Sequence, residues 1–168
     1  MEKIPVIVIV GAHNSGKTTF ISKVIKKLSS EGYKICAVKH DPKGKAKTDT
    51  EGKDSYKMYN SGANQVILAS PEKITSYIRE ENYKLDKILK NYIIDDIDMV
   101  IVEGFKWSEG FDKFEVIRKE ENRELMLKNS SDLKGVITDY YKFEPSFDIN
   151  KPEEFINFLK KNYLKSEY

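Results

Sequence analysis

The stretch GAHNSGKTTF, residues 11–20, has the residue types and spacing of a loop that binds phosphate. It fits G-x-x-x-x-G-K-[ST], the Walker A motif, in which backbone N–H groups surround phosphate oxygens at the start of a helix. Lys17 then reaches the β- and γ-phosphates, and the Thr18 hydroxyl can bind Mg²⁺. The motif follows the apolar run IPVIVIV and opens an amphipathic helix pattern, which is the context it requires. The residues predicted to bind a nucleotide in this P-loop are Gly11, Asn14, Ser15, Gly16, Lys17, Thr18 and Thr19.

Two carboxylates are candidates for a magnesium site beside the P-loop. The run DMVIVEGF, residues 98–105, places Glu103 at the end of an apolar strand, as a Walker B acid with glutamate in place of aspartate. Because ligands bind where the strands of a parallel sheet end, we expect Glu103 near the phosphates. Asp41, which ends the run YKICAVKHD, is the second candidate. The predicted metal ligands are Thr18, Asp41 and Glu103, and the predicted catalytic residues are Lys17 and Glu103.

One further carboxylate is a candidate for recognising the base of the nucleotide. A fixed carboxylate can accept the N1–H and N2–H₂ donors of guanine, and Asp139 in VITDY ends a predicted strand at the P-loop edge. The motif N-K-x-D is absent from the chain. Its near match NKPE, residues 150–153, is typical of a helix start, with Pro152 entering the first turn. Asp139 is therefore the predicted base-binding residue.

Alternating strand and helix patterns must position these residues. Runs of β-branched residues predict strands at 6–10, 33–40, 64–70, 98–103, 114–118 and 133–139. Amphipathic patterns predict helices within 18–32, 53–63, 84–93 and 152–164. Parallel strands need crossover connections, which helices supply. The pattern thus predicts an α/β P-loop NTPase fold, with a mostly parallel sheet and helices on both faces, as a single nucleotide-binding domain over residues 1–168. The polar stretch 41–55 is expected to be a mobile loop.

The composition narrows the classes of partner and compartment. The 29 Lys and Arg residues nearly balance the 27 Asp and Glu residues, so the net charge is +2. A charge this small does not indicate binding to nucleic acid or to a membrane surface. Cys36 is the single cysteine, so an intrachain disulfide is impossible and a reducing cytoplasm is the expected compartment. The longest apolar run, 6–10, is too short to span a bilayer. We expect a soluble, cytoplasmic protein.

Several further motifs carry a family resemblance. Behind GAHNSGKTT come, in order, VKHD (38–41), DTEGKDSY (49–56), SGANQVILAS (61–70), IVEGFK (101–106) and KFEVIR (113–118). This set resembles the MobB family of molybdopterin-guanine dinucleotide biosynthesis proteins, and the resemblance extends from Ile4 to about Asp139. One departure is that family members often have histidines just after the aspartate of VKHD, whereas this chain has PKGKAK.

The resemblance implies a function and a set of ligands. It implies a P-loop protein of the SIMIBI-like branch that binds GTP with Mg²⁺, hydrolyses it slowly at most, and forms a homodimer. The implied partner is MobA, the guanylyltransferase that joins GMP to molybdopterin, and molybdopterin itself is a further candidate ligand. Within the resemblance, Glu103 takes the Walker B role, and Asp41 with the loop at Asp49 faces the nucleotide. The run FEVIR (114–118) is one candidate for an edge strand that pairs across a dimer axis.

Two other functions stay open on the sequence. A small-molecule P-loop kinase usually covers the transferred phosphoryl group with arginines. This chain has only Arg79, Arg118 and Arg123, and none lies in the loop 41–55. A GTPase metallochaperone delivers its metal through soft or imidazole ligands, and one cysteine with two histidines is too few within one chain. Both functions are therefore less favoured than a nucleotide-binding accessory protein.

Overall fold

The computed structural model describes residues 4–140 and 143–164 of the chain. These divide into two units, one formed by the residues up to His40 and from Leu89 onward, the other by Asp41–Ile88. A single domain over 1–168 stays a prediction, and each unit is described by itself. In chain order the elements are β1 (Val6–Gly11), α1 (Lys17–Ser30), β2 (Ile35–Lys39), α2 (Asp54–Asn60), β3 (Gln65–Ser70), β4 (Lys73–Ile78), α3 (Leu85–Asn91), β5 (Met99–Glu103), β6 (Asp112–Ile117), a 3₁₀ turn (Lys119–Glu121), β7 (Leu133–Thr138), β8 (Ser146–Asp148) and α4 (Glu153–Asn162).

The first unit contains a six-stranded sheet in the order β2-β5-β1-β6-β7-β8. Every neighbouring pair of these strands is parallel. The predicted α/β P-loop NTPase fold with a mostly parallel sheet is therefore confirmed. α1 joins β1 to β2, but these two strands are not neighbours, because β5 is inserted between them.

The position of β6 corrects one expectation. The stretch 114–118 was a candidate edge strand, but β6 lies inside the sheet, paired with β1 on one side and β7 on the other. The edges of the sheet are β2 and β8. The apolar pattern of FEVIR indicates a buried strand, and burial on both faces is what an interior strand requires.

The apolar core of the first unit lies between one face of the sheet and the helices α1 and α4. Phe20, Val24 and Leu28 on α1 are fully buried against this face, as are Phe155 and Leu159 on α4. Phe114 on β6 contacts aromatic rings of α4 and β8, with centroid distances between 5.0 and 6.2 Å; these rings are Phe147, Phe155 and Phe158. Since successive side chains of a strand point to opposite faces, burying Phe114 here turns Glu115 to the other face.

The second unit is built on an antiparallel hairpin. β3 pairs with β4 through the register Gln65↔Ile78 to Ser70↔Lys73. The stretch 64–70 was expected to be a buried strand of the parallel sheet, but it belongs to a separate two-stranded sheet, and only Val66 of β3 is buried. The reason is that β-branched runs predict strands without specifying which sheet they join. β4 and the three-residue β8 were not predicted.

The segment before the hairpin has turns but neither helix nor strand from residue 41 to residue 53, and α2 begins at Asp54. This agrees with the predicted loop over 41–55. The helices predicted at 18–32, 84–93 and 152–164 correspond to α1, α3 and α4, with the shorter bounds given above. Within the described residues, none of the helices has both the length and the apolar character that crossing a membrane requires.

Candidate functional site

The backbone of the loop between β1 and α1 favours glycine at both glycine positions of the motif. β1 ends at Gly11 and α1 begins at Lys17, so the loop leads directly into a helix N-terminus. Gly16 precedes the helix with φ 93°, a left-handed conformation that glycine adopts without strain. A Cβ atom on Gly11 would lie 2.6 Å from the carbonyl oxygen of Val116 and 2.9 Å from Ser15 Oγ. Alanine does not fit at Gly11, because β6 approaches the loop too closely.

Lys17 folds back over its own loop. Its Nζ donates hydrogen bonds to the carbonyl oxygen of Ala12 and, at 3.4 Å, to Ser15 Oγ. Burial lowers the pKa of Lys17, and the negative charges of Glu103 and Glu121 oppose this effect. The ammonium group thus lies against the backbone of its own loop, the segment that surrounds phosphate oxygens in the Walker A motif.

The other predicted loop residues differ in exposure. Asn14, Thr18 and Thr19 are exposed, whereas Ser15 is buried. Asn14 has φ 61°, a left-handed conformation in which asparagine is enriched relative to most residues. The structure brings all seven residues together in one segment, and their binding of a nucleotide stays a prediction.

A polar cluster at the carboxyl edge of the sheet joins Thr18, Lys39 and Glu103. Thr18 Oγ1 donates to the Glu103 carboxylate, with distances of 2.9 Å to Oε1 and 2.8 Å to Oε2. Lys39 Nζ lies 3.3 and 3.4 Å from the same two oxygens and 3.3 Å from Thr18 Oγ1. The cause is topological: β5 pairs with both β1 and β2, which places Glu103 level with Ile9 and with Lys39.

Thr18 and Glu103 together fit the donor set of a magnesium ion. Mg²⁺ takes oxygen ligands and is usually bound by one or two carboxylates together with substrate phosphates and water. A threonine hydroxyl and a carboxylate in direct contact, beside a phosphate-binding loop, supply oxygens of this kind. Over residues 4–140 and 143–164 there is no group of three or more His, Cys, Asp or Glu side chains that could hold a metal by themselves. A magnesium ion here would take its further ligands from phosphate and water.

Asp41 and Asp139 occupy different surroundings from Glu103. Asp41 is the first residue of the second unit, and its carboxylate accepts the N–H of Ala46 at 2.6 Å. Asp139 follows β7 at the same sheet edge as the P-loop, as expected. Its carboxylate accepts the N–H of Lys119 at 2.8 Å and a guanidinium N–H of Arg118 at 3.3 Å. Metal binding by Asp41 and guanine recognition by Asp139 stay predictions.

A buried ion pair lies beside the P-loop, and the sequence interpretation did not include it. Glu115 on β6 is fully buried, and its carboxylate accepts hydrogen bonds from the Arg123 guanidinium at 2.6 Å and from the N–H groups of Met126 and Leu127 at 2.9 and 3.0 Å. Arg123 also donates to the carbonyl oxygen of Val116, the atom that approaches Gly11 most closely. The available signal was a charged residue inside the apolar run FEVIR.

The chain is similar to proteins of one family. Residues 6–139 match the family model of Molybdopterin guanine dinucleotide synthesis protein B, MobB. The chain is 37% identical over 108 residues to the molybdopterin-guanine dinucleotide biosynthesis adapter protein of Haemophilus influenzae, which covers 62% of this chain and 59% of that protein. With the adapter protein of Escherichia coli it shares 32% identity over 109 residues, covering 63% and 62%. The matched part of the chain thus spans about three fifths of the length of these relatives.

Solved structures share the fold over nearly their whole length. The crystal structure of Bacillus subtilis MobB superimposes with a TM-score of 0.74 at 26% identity, covering 97% of this chain and 99% of that chain. A crystal structure of molybdopterin-guanine biosynthesis protein B gives a TM-score of 0.74 at 30% identity, with 93% and 98% covered. The chain thus shares its fold with these MobB structures over more than nine tenths of its length.

The buried ion pair leads to a stability prediction. In Arg123→Met the carboxylate of Glu115 stays buried without its cation, and we expect the free energy of unfolding to fall by about 3 kcal/mol. The matched control is Arg118→Met, which removes a more exposed pair with Asp139 and should cost about 1 kcal/mol or less. Urea unfolding followed by circular dichroism measures both. Equal losses in the two variants would contradict a special role for the Arg123 pair.

Proposed function

Because the chain belongs to the MobB family, we propose that it is a GTP-binding accessory protein of molybdenum cofactor biosynthesis. It assists the guanylylation of molybdopterin to the guanine dinucleotide form. The observation that carries this proposal is the direct contact of Thr18 with Glu103 beside the P-loop. That contact joins the motif hydroxyl to a Walker B carboxylate, which is the arrangement that a Mg²⁺-nucleotide complex uses.

The residues of the site have separate roles in this proposal. The N–H groups of residues 11–19 and the Lys17 ammonium bind the phosphates, with the positive end of the α1 dipole beneath them. Thr18 and Glu103 hold Mg²⁺, which neutralises charge on the phosphates when it is bound. Asp41 is proposed as a further metal ligand and Asp139 as the residue that recognises guanine.

Hydrolysis of GTP is proposed to be slow at most. Rapid hydrolysis in P-loop proteins uses an arginine that stabilises the transition state or a residue that orients the attacking water. In the first unit, Arg118 and Arg123 are already ion-paired with carboxylates of the same chain. Lys17 and Glu103 would therefore give a weak Mg²⁺-dependent GTPase that favours binding over turnover.

The proposed partner is a guanylyltransferase of the MobA type. The Haemophilus influenzae and Escherichia coli relatives are named adapter proteins, and an adapter acts on a second protein. The transferase joins GMP to molybdopterin, so a bound GTP on this chain would place the nucleotide and the accessory protein in the same reaction. Molybdopterin is the second proposed ligand.

A homodimer is proposed as the assembly, and the hairpin of the second unit supports it. Ile67 on β3 and Ile74 on β4 are 61% and 73% exposed, and the pairing register puts both on the same face of the hairpin. Apolar side chains exposed together on a short two-stranded sheet mark an interaction surface, and such a sheet is only marginally stable alone. A second copy of the chain could cover this surface with the same residues.

The nucleotide proposal predicts a preference for GTP over ATP and a GTP affinity that depends on Lys17. Calorimetric titration of the protein with GTP and with ATP, each with Mg²⁺, should show tighter binding of GTP. Lys17→Ala should weaken GTP binding by about 100-fold, because a charged donor to the phosphates is lost. Lys23→Ala, an exposed lysine on the same helix, should bind as the native chain does. Preference for ATP would refute the base assignment and favour the kinase alternative.

The adapter proposal predicts an effect on the transferase reaction. A purified MobA-type guanylyltransferase is supplied with molybdopterin, GTP and Mg²⁺, and the guanine dinucleotide product is quantified with and without this chain. We expect more product per unit time with the native chain, and a smaller gain with Lys17→Ala. No gain at any concentration of the native chain would count against an accessory role.

The dimer proposal predicts a mass that depends on the hairpin. Light scattering should give twice the chain mass of 19.5 kDa for the native protein. Combined Ile67→Lys and Ile74→Lys substitutions should reduce the mass toward the monomer, because the two charges repel a second copy. Ile94→Lys, at an equally exposed isoleucine of the other unit, is the control and should stay dimeric. A dimer that survives the hairpin substitutions would place the interface elsewhere.

A further inference from the structure

Lys39 lies at the position where a cation would bridge Thr18 and Glu103. Its Nζ is 3.3 Å from Thr18 Oγ1 and 3.3 and 3.4 Å from the two carboxylate oxygens of Glu103. The register between β2 and β5 sets Lys39 directly opposite Glu103, so this approach follows from the sheet itself. The lysine side chain is 64% exposed, whereas the Glu103 side chain is 15% exposed. The Glu103 carboxylate is thus mostly shielded from solvent, whereas the Lys39 side chain can move out into solvent.

A divalent ion and the Lys39 ammonium would compete for the same oxygens. Mg²⁺ binds oxygen at about 2.0–2.1 Å and requires near-octahedral geometry. The same lone pairs of Thr18 Oγ1 and Glu103 face the ammonium group in the present structure. Two cations at this spacing also repel each other. When a metal ion occupies these oxygens, Lys39 must therefore leave them.

Lys17 cannot take over this role. Its ammonium group is turned to the carbonyl oxygen of Ala12 and to Ser15, inside the loop. Lys39 is the last residue of the edge strand β2, and its side chain is free to move because an exposed ion pair is weak. The two lysines are thus placed for different tasks, one on the phosphates and one on the carboxylate.

We propose that Lys39 is an internal counter-ion for Glu103 that a divalent metal ion must displace, so that this residue sets the metal dependence of the site. The proposal rests on the proposed function in taking Thr18 and Glu103 as metal ligands. Before metal binds, Lys39 neutralises the Glu103 charge that would otherwise repel nucleotide phosphates. After metal binds, Lys39 is released at the same edge as the P-loop. It is a positioning residue, since it acts through Glu103.

The first test uses Mn²⁺ alone on the nucleotide-free protein. Electron paramagnetic resonance measures free Mn²⁺ during titration of the native protein, Lys39→Met, Lys39→Arg and the control Lys34→Met. Lys34 is a similarly exposed lysine just before the same strand, and it is paired with Asp96. We expect Lys39→Met to lower the half-saturating Mn²⁺ concentration about threefold, the scale of an exposed ion pair. Lys39→Arg and Lys34→Met should not lower it.

The outcomes of the Mn²⁺ titration decide the proposal. Equal midpoints for the native chain and Lys39→Met would overturn it, and so would an equal fall in Lys34→Met. No Mn²⁺ binding by either the native chain or Lys39→Met up to millimolar concentration would overturn it as well, because Thr18 and Glu103 would then not form a cation site. Urea unfolding of Lys39→Met, expected to match that of Lys34→Met, separates competition from a loss of structure.

A second measurement separates this inference from the proposed function. GTP affinity is compared in EDTA and in Mg²⁺, and Lys39→Met should lose about threefold in EDTA while losing less in Mg²⁺. If Lys39→Met lowers the Mn²⁺ midpoint but the native chain binds no GTP, the proposed function fails and the inference stands. If GTP binds with Mg²⁺ but the Mn²⁺ midpoints coincide, the inference fails and the proposed function stands.

Discussion

The site depends on the parallel pairing of β5 with β1 on one side and β2 on the other. Thr18 and Glu103 are separated by 85 positions in the chain, so only the fold can bring their oxygen atoms together. The two shared registers bring the ends of three strands to the same height at one edge of the sheet. Thr18, Lys39 and Glu103 then meet within hydrogen-bonding distance. A shift of β5 by one residue would turn Glu103 to the opposite face and abolish the cluster.

The loops that follow β5 and β6 are fixed by buried polar contacts in addition to apolar packing. Glu115 binds the N–H groups of Met126 and Leu127 as well as Arg123. Lys113, also buried, donates to the carbonyl oxygens of Lys106 and Ser108 and pairs with Asp132. Buried charges are tolerated only when their partners are present, so these contacts define the conformation of two loops. The cluster at Glu103 is different because its lysine is exposed.

The contrast between buried and exposed ion pairs bears on function. The pairs that hold loops are enclosed, which makes them costly to break. In the pair at the candidate metal site the Lys39 side chain is exposed, so replacing it with another cation costs little free energy. In the proposed function, the enclosed pairs keep the frame rigid, and the pair at Glu103 is the contact that a metal ion replaces.

Much of the site was predictable because local chemistry specifies it. GAHNSGKTT requires glycines where the backbone turns, and an apolar run ending in glutamate predicts an acid at the edge of a sheet. Helix faces such as Phe20, Val24 and Leu28 follow from a periodicity of 3.6 residues. Less could be predicted about strand partners. β3 has the pattern of a strand of the parallel sheet yet pairs with β4, and the run in β6 indicates a buried strand without specifying its two neighbours.

By itself, the sequence determined most of the element types, the Walker A motif and the family resemblance, because each depends on neighbouring residues and their spacing. Only the tertiary structure decided that β5 lies between β1 and β2, that Arg123 neutralises Glu115, and that Lys39 contacts Glu103. These contacts join residues from different elements. Their distances are set by strand order and register, which depend on the packing of the whole sheet and have no local signal in the chain.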